Sequence, residues 1–256
     1  MNRLPISAGN ESSRHDPGHL GTFAAHLPGH SEILPRYSLF APLHYEPNYA
    51  YPLVIWLHGP QDNEHQLRRI MPLLSLRNYA AIGPRATTAY ADQTPGFYWA
   101  QQAASVAAAE RSVLDCLDIA RSRFNVNPDR VFLAGYDCGG TMAFQVGLRH
   151  PERFAGVISL GGAFPSGRML LSSLPQLRRL PLFIAHGRDS DLYPVERLCE
   201  DLRLFHAAGL GVTVRQYPCG DELTTKMLQD LNFWIMERVT GQPLAPPEVP
   251  VLDERN

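Results

Sequence analysis

No apolar run in this chain approaches the roughly 18 continuous residues that a membrane-crossing helix needs. Its first twenty residues, MNRLPISAGNESSRHDPGHL, lack the apolar segment of an export signal. A membrane span is therefore not expected, and a soluble, cytoplasmic protein is. The four cysteines, Cys116, Cys138, Cys199 and Cys219, show no CxxC spacing and none of the density of a disulfide scaffold. Free thiols in a reducing compartment are the expectation. An excess of one charge is missing too: 23 Lys and Arg stand against 25 Asp and Glu, for a net charge of −2. That gives no electrostatic argument for nucleic acid or an anionic membrane surface as a partner. A small neutral or apolar ligand suits such a chain better, and the oligomeric state is left open. No internal repeat is present.

What the chain does have is material for a core. At 256 residues and 45% hydrophobic it can close one substantial interior, and α/β chains of this length usually stay one domain. Residues 1–34 are rich in Gly, Pro, Ser and His without a sustained period and read as a loose N-terminal arm with at most an edge strand. Its histidines read as solvated, because nothing in that composition fixes the geometry a metal needs. From RYSLFAP onward short apolar runs alternate with helical stretches. YPLVIWLHG (51–59) is nearly continuous in strand formers, as a strand buried on both faces should be. YAAIGPR, RVFLAG, FAGVISLGG, LPLFIAHG and VTVRQYP repeat the signature. Helices are expected over 104–124, where Val106, Val113, Leu117, Ala120 and Phe124 share one stripe, and over 141–149, 195–208 and 224–239. This alternation predicts a three-layer α/β domain over 35–241, its central sheet mostly parallel, with ligands at the carboxyl ends of the strands. The tail over 242–256 is proline-rich and expected to be extended.

RVFLAGYDCGGTMAF (130–144) runs a buried strand into a glycine-flanked turn and then a helix. That is the context of a G-x-S-x-G nucleophile elbow, with Gly135 and Gly139 in place and Asp137 where the serine would stand. The longer stretch VFLAGYDCGGTMAFQVGLRHPERFAGVISLGGAFP (131–165) resembles the α/β-hydrolase fold. Its particular likeness is to the phospholipase/carboxylesterase group that includes the acyl-protein thioesterases, with their flaGfSqGG and hPerfaGvialsG. WLHG, NPDRVFLAG and AHGRDSDLYPVE extend the likeness, in order, over roughly residues 36–240. About twenty residues separate VISLGG from LPLFIAHG, too few for a large cap domain.

By this resemblance the catalytic acid lies four residues before the proline of HGRDSDLYP, which is Ser190, flanked by Asp189 and Asp191 as alternative acids. The histidine of the family's YPGxGHE segment falls on Asp221 in YPCGDEL. No histidine follows His206. One oxyanion donor would be the N–H of Cys138; the other falls on Pro60, which has none, unless Gln61 offers its own. Loss of one such donor costs about 10²–10³ in rate. Serine hydrolysis needs a hydroxyl nucleophile, a histidine base and a group to orient that base, and none stands at its position. The expectation is a binding or regulatory pseudoenzyme with a small acyl or ester-like ligand and no cofactor. The alternative is an active hydrolase that uses Asp137 as the nucleophile, as haloalkane dehalogenases and epoxide hydrolases do, or a rearranged site acting on a small ester or thioester. Cys138 as nucleophile would need glycine at Tyr136 and is read instead as a small buried hydrophobe.

Three further expectations concern the surroundings. Asp137 and Asp221 should meet at hydrogen-bond range, sharing a proton with help from Ser190 or holding a hard divalent cation with Asp189 or Asp191. The aromatic cluster of TPGFYWA (94–100) reads as a loop that either walls a ligand pocket or simply packs. His58, His186 and His150, each at an element end, read as structural, and His15, His19, His26 or His30 could reach the site from the arm.

Overall fold

The computed structural model describes residues 35–90, 95–165 and 174–242. The N-terminal arm with its four histidines, Thr94, and the tail from residue 243 lie outside them. In chain order the strands are β1 (Tyr37–Phe40), β2 (Tyr51–Leu57), β3 (Ala80–Pro84), β4 (Thr88–Ala89), β5 (Phe97–Tyr98), β6 (Val126–Tyr136), β7 (Gly156–Leu160), β8 (Leu182–Gly187) and β9 (Val212–Tyr217). Seven of these form one sheet in the order β1-β3-β2-β6-β7-β8-β9. Only β1 runs antiparallel to its neighbour.

The continuous apolar runs have a simple cause. All seven residues of β2 are buried because side chains alternate between two covered faces. Leu53, Ile55 and Leu57 enter one core with Val106, Val113, Leu117, Phe144, Phe164 and Phe205. Val54 and Trp56 enter the other with Leu67, Met71, Leu231 and Trp234. The helices divide accordingly. α2 (Ala103–Arg123), α3 (Cys138–Gly147) and α5 (Val195–Ala208) cover the first face, and α1 (Gln66–Leu74) and α6 (Thr225–Thr240) the second, while α4 (Leu174–Leu177) is a single turn. This is the expected three-layer sandwich with a mostly parallel sheet.

Two elements differ from the expectation. Helix α1 was not anticipated, although Leu67, Ile70, Met71 and Leu74 recur at helical spacing and all four are buried. Pro72 inside the helix and the lack of a side-chain cap at His65 mask it. The aromatic run near residue 97 is not all loop: Phe97 and Tyr98 form β5, which pairs antiparallel with β4, and Gly96 precedes it at φ 104°.

Candidate functional site

The six parallel strands converge their carboxyl ends on one edge, and the loops after β2, β6, β8 and β9 carry the candidate residues there. At the end of β6 the chain turns sharply through Asp137, with φ 50° and ψ −120°. A non-glycine residue in such a conformation stores about 1–3 kcal/mol, and the neighbours enforce it. Asp137 N–H donates to Leu160 O (2.9 Å), and Thr141 N–H donates to Asp137 O (3.0 Å). The flanking glycines are a matter of space: a Cβ on Gly135 would stand 2.3 Å from Gly139 O, and one on Gly139 would stand 2.3 Å from Leu57 O. The turn lifts the Asp137 side chain at the N-terminus of α3.

Asp137 is partly buried, and that burial pushes its carboxyl above the usual carboxylate range. The Cys138 backbone N–H works in the opposite direction, and the charge of Asp221 adds to the rise. Asp221 itself is tied elsewhere. Ser190 Oγ donates to Asp221 Oδ1, while the N–H groups of Asp191 and Leu192 approach its two oxygens at 3.3 and 3.4 Å. Ser190 Oγ in turn accepts from Tyr193 N (2.9 Å). From the elbow side, Tyr136 OH donates to Asp221 O at 2.5 Å, its phenol pushed up to about 12 by burial and by Asp137, Asp221 and Glu222.

Asp137 and Asp221 feel each other through charge, but Asp221 fills its oxygens with Ser190 and two backbone amides, because the loop after β8 folds over it. Ser190 is a bridge between loops. Asp189 and Asp191 are exposed, and they enter through their backbones: Asp189 N–H donates to Cys219 O at 3.0 Å. Among the described residues no group of three or more His, Cys, Asp or Glu is arranged to hold a metal ion.

The histidines named by the sequence have their ring nitrogens engaged by other groups. Buried His58 has its Nδ1 2.7 Å from Gly59 O and its Nε2 3.0 Å from Ala86 N. An amide N–H can only donate, so Nε2 accepts and Nδ1 carries the proton; burial lowers the pKa further and keeps the ring neutral. His186 Nε2 lies 2.7 Å from Tyr193 O. His150 Nε2 lies 2.8 Å from Glu110 Oε1. None of the histidines among the described residues is a hydrogen-bond partner of Asp137 or Asp221.

The loop after β2 is rigidly built. Gln66 Oε1 accepts from Trp56 Nε1 (2.8 Å) and Gly59 N (3.1 Å), and Trp99 Nε1 donates to His58 O (3.0 Å). Pro60 has no N–H to offer, and Gln61 follows it at φ 57°; the Tyr90 phenol is pushed up by burial and by the charges of Cys138 and Asp137 nearby. Tyr90 was missed by sequence reasoning because AAIGPRATTAY carries no motif; the β4–β5 hairpin alone brings it here. The aromatic run splits its duties. Trp99 is buried packing, Phe97 lies under the Arg85 guanidinium (4.7 Å), and Tyr98 meets Tyr90 at 4.8 Å. Cys138 is partly buried; burial pushes its thiol up to about 11, so it is protonated and a poor nucleophile at neutral pH. A cleft of about 220 Å³ between the start of β2 and the end of α6, lined by Glu46, Tyr49, Tyr51, Arg77, Asn78 and Met236 among others, contains none of these residues.

Residues 46–237 match the family model described as phospholipase/carboxylesterase. Among curated proteins, carboxylesterase SOBER1 of Arabidopsis thaliana is 27% identical over 117 residues, 45% of this chain and 51% of that protein. The chain spans about half the length of the curated relatives first matched. The fold is shared with the crystal structure of a Bacillus cereus carboxylesterase at a TM-score of 0.65, with 17% identity over 81% of this chain and 96% of that one. Zea mays acyl-protein thioesterase 2 gives a TM-score of 0.63 and 16% identity over 80% of this chain and 99% of that one.

Proposed function

The chain belongs to the phospholipase/carboxylesterase family of α/β-hydrolase-fold proteins, and on that premise we propose that it has left serine ester hydrolysis and acts as a binding or regulatory pseudoenzyme. Its ligand is a small acyl or ester-like molecule held at the carboxyl edge of the sheet without turnover. The observation that carries this reading is that Asp137 has no histidine partner among the described residues. An ester formed on an aspartate nucleophile has to be hydrolysed by activated water, and Asp221, locked under Ser190, is a carboxylate where that base would stand. The residue at one oxyanion position supports the same reading, because Pro60 has no N–H to donate.

Hydrolysis of short and medium p-nitrophenyl esters tests the reading on three proteins: the wild type, Asp137→Ala, and Asp137→Ser combined with Ser190→Asp and Asp221→His. The expected outcome is an inert wild type and turnover by the triple variant. The second reading, Asp137 as a working nucleophile, draws on the strained elbow that lifts its carboxylate clear of the sheet. Wild-type hydrolysis abolished by Asp137→Ala would establish it and end the first.

A further inference from the structure

At the opposite end of the sheet from the candidate site, the amino ends of β2 and β3 meet the last turns of α6. The cleft of about 220 Å³ there is lined by Tyr49 and Tyr51 from the approach to β2, by Arg77 and Asn78 from the approach to β3, and by Met236 and Val239 of α6. Its aromatic wall is fixed in place. Tyr51 packs on both Tyr45 and Tyr49, with ring centroids 5.3 and 4.6 Å apart, Glu46 N–H donates to Tyr51 OH (3.1 Å), and Tyr49 N–H donates to Glu46 O (3.1 Å). Apolar surface is nonetheless left uncovered: Tyr49 is 47% exposed, as nearly are Leu43 (48%) and Leu76 (49%), which a hydrogen bond from Leu43 N–H to Leu76 O joins beside Arg77. Arg77 is exposed too, and no carboxylate among the described residues pairs with it, Glu46 included.

The chain itself supplies an occupant. Helix α6 ends at Thr240, next to Val239 of the cleft, and Gly241 caps it at φ 68° with its N–H on Glu237 O (2.9 Å). The segment that begins at residue 243 is therefore tethered at the cleft rim. Its first ten residues are PLAPPEVPVL (243–252), in which Glu248 alone has a polar side chain. The prolines fix φ and carry no N–H that burial would strand. Proline-rich segments dock in aromatic-lined grooves because they have little conformational freedom left to lose. Size agrees as well: pockets for small-molecule ligands run to roughly 300–1,000 Å³, and this smaller cleft suits one edge of a peptide. We propose that residues 243–252 bind across this cleft in the same chain, with prolines packed on Tyr49 and Tyr51 and with Glu248 paired to Arg77. The cleft shares no residue with the candidate site, so the inference is independent of the pseudoenzyme reading.

The test compares the full chain with a variant carrying Pro243→Ser, Leu244→Ser, Pro246→Ser, Pro247→Ser and Pro250→Ser, and adds a synthetic peptide of residues 243–252 with blocked ends. Backbone amide resonances of Tyr49, Arg77 and Asn78 are the readout. These amides should shift between the two proteins, and the peptide should return them toward their wild-type positions in the variant. A short tether holds a segment at an effective concentration on the order of millimolar, so the peptide should bind the wild type at least about tenfold more weakly than the variant. Tyr49→Ala, which removes a half-exposed ring and leaves the core intact, should weaken the peptide on the variant by about tenfold. Identical amide resonances in wild type and variant overturn the proposal. Equal peptide affinity for the two proteins, including none for either, overturns it as well, as does a peptide indifferent to Tyr49→Ala. A wild-type shift that fades on dilution also overturns it, because the occupant is then the segment of a second copy.

Discussion

Removing the Arg85 guanidinium should cost the protein several kcal/mol, and the loss should depend on pH in a definite direction. Glu64 has a side chain only 3% exposed and Arg85 one 20% exposed, and two hydrogen bonds of 2.5 and 2.6 Å join them. Burial pushes the Glu64 carboxyl up; the Arg85 hydrogen bonds and charge outweigh it and hold the carboxyl below its ordinary value. A depressed carboxyl contributes stability above its unfolded pKa and loses it as the pH falls through the folded pKa. In Arg85→Met the burial remains and the largest compensation does not, leaving a backbone hydrogen bond and the charge of His65, so the Glu64 pKa should rise above its unfolded value and the sign reverse: this contribution is then best in acid and declines as the pH climbs. Breaking a buried pair from one side costs about 3–5 kcal/mol, which for a domain of this size corresponds to roughly 6–20 °C in Tm. Urea unfolding of the wild type, Arg85→Met, Glu64→Gln and the double variant between pH 4 and 8 measures it. The deficit of Arg85→Met should be largest at pH 7 to 8 and shrink toward pH 4, and the double variant should recover most of it. A loss below about 1 kcal/mol at pH 7 would mean that water reaches Glu64 and that the pair is worth no more than a surface one.

Asp137→Asn should raise Tm at pH 7, because the elevated Asp137 pKa makes its ionised form a cost in the fold; the advantage should vanish as the pH drops below the carboxylate range, and an advantage that grows in acid would contradict the sign. Gly139→Ala places a Cβ 2.3 Å from Leu57 O and should cost about 1–3 kcal/mol in thermal unfolding, whereas an unchanged Tm would show that the elbow can open. Among the described thiols, Cys199 is exposed, while Cys116 is buried and burial holds Cys138 high; a disulfide reagent at pH 8 should therefore show one fast phase, and its survival in Cys199→Ser would refute the assignment. Trp234→Ala removes the indole that packs on Phe132 and Phe183 and should cost about 3–5 kcal/mol, read by the urea midpoint.

The strands were legible because burial on both faces leaves an unbroken apolar run, as in β2, and the elbow because its turn admits little but glycine at 135 and 139. Helix α1 was hidden by Pro72, whose propensity argues against the packing that won. The placement of Asp137, Ser190 and Asp221 at adjoining loops follows from strand order. Their hydrogen bonds do not, since Asp221 could have turned toward Asp137 with no change in sequence spacing. Tyr90 was beyond reach for a similar reason: its place depends on the pairing of two short strands, Thr88–Ala89 and Phe97–Tyr98, and periodicity does not report such contacts.

The stitching of Asp221 bears on how the chain could change over generations. Its carboxylate receives Ser190 Oγ and two backbone N–H groups, and Ser190 holds the Tyr193 amide in turn. Asp221→His alone would strip three donors of their acceptor, and Ser190→Asp alone would set two carboxylates against each other, so each single step back is downhill in stability. Only the combined changes replace one set of contacts with another, and residues that share partners in this way are not additive. If the site has left serine hydrolysis, as proposed above, selection acting one substitution at a time meets a valley between the present arrangement and a catalytic triad, and the change is hard to reverse.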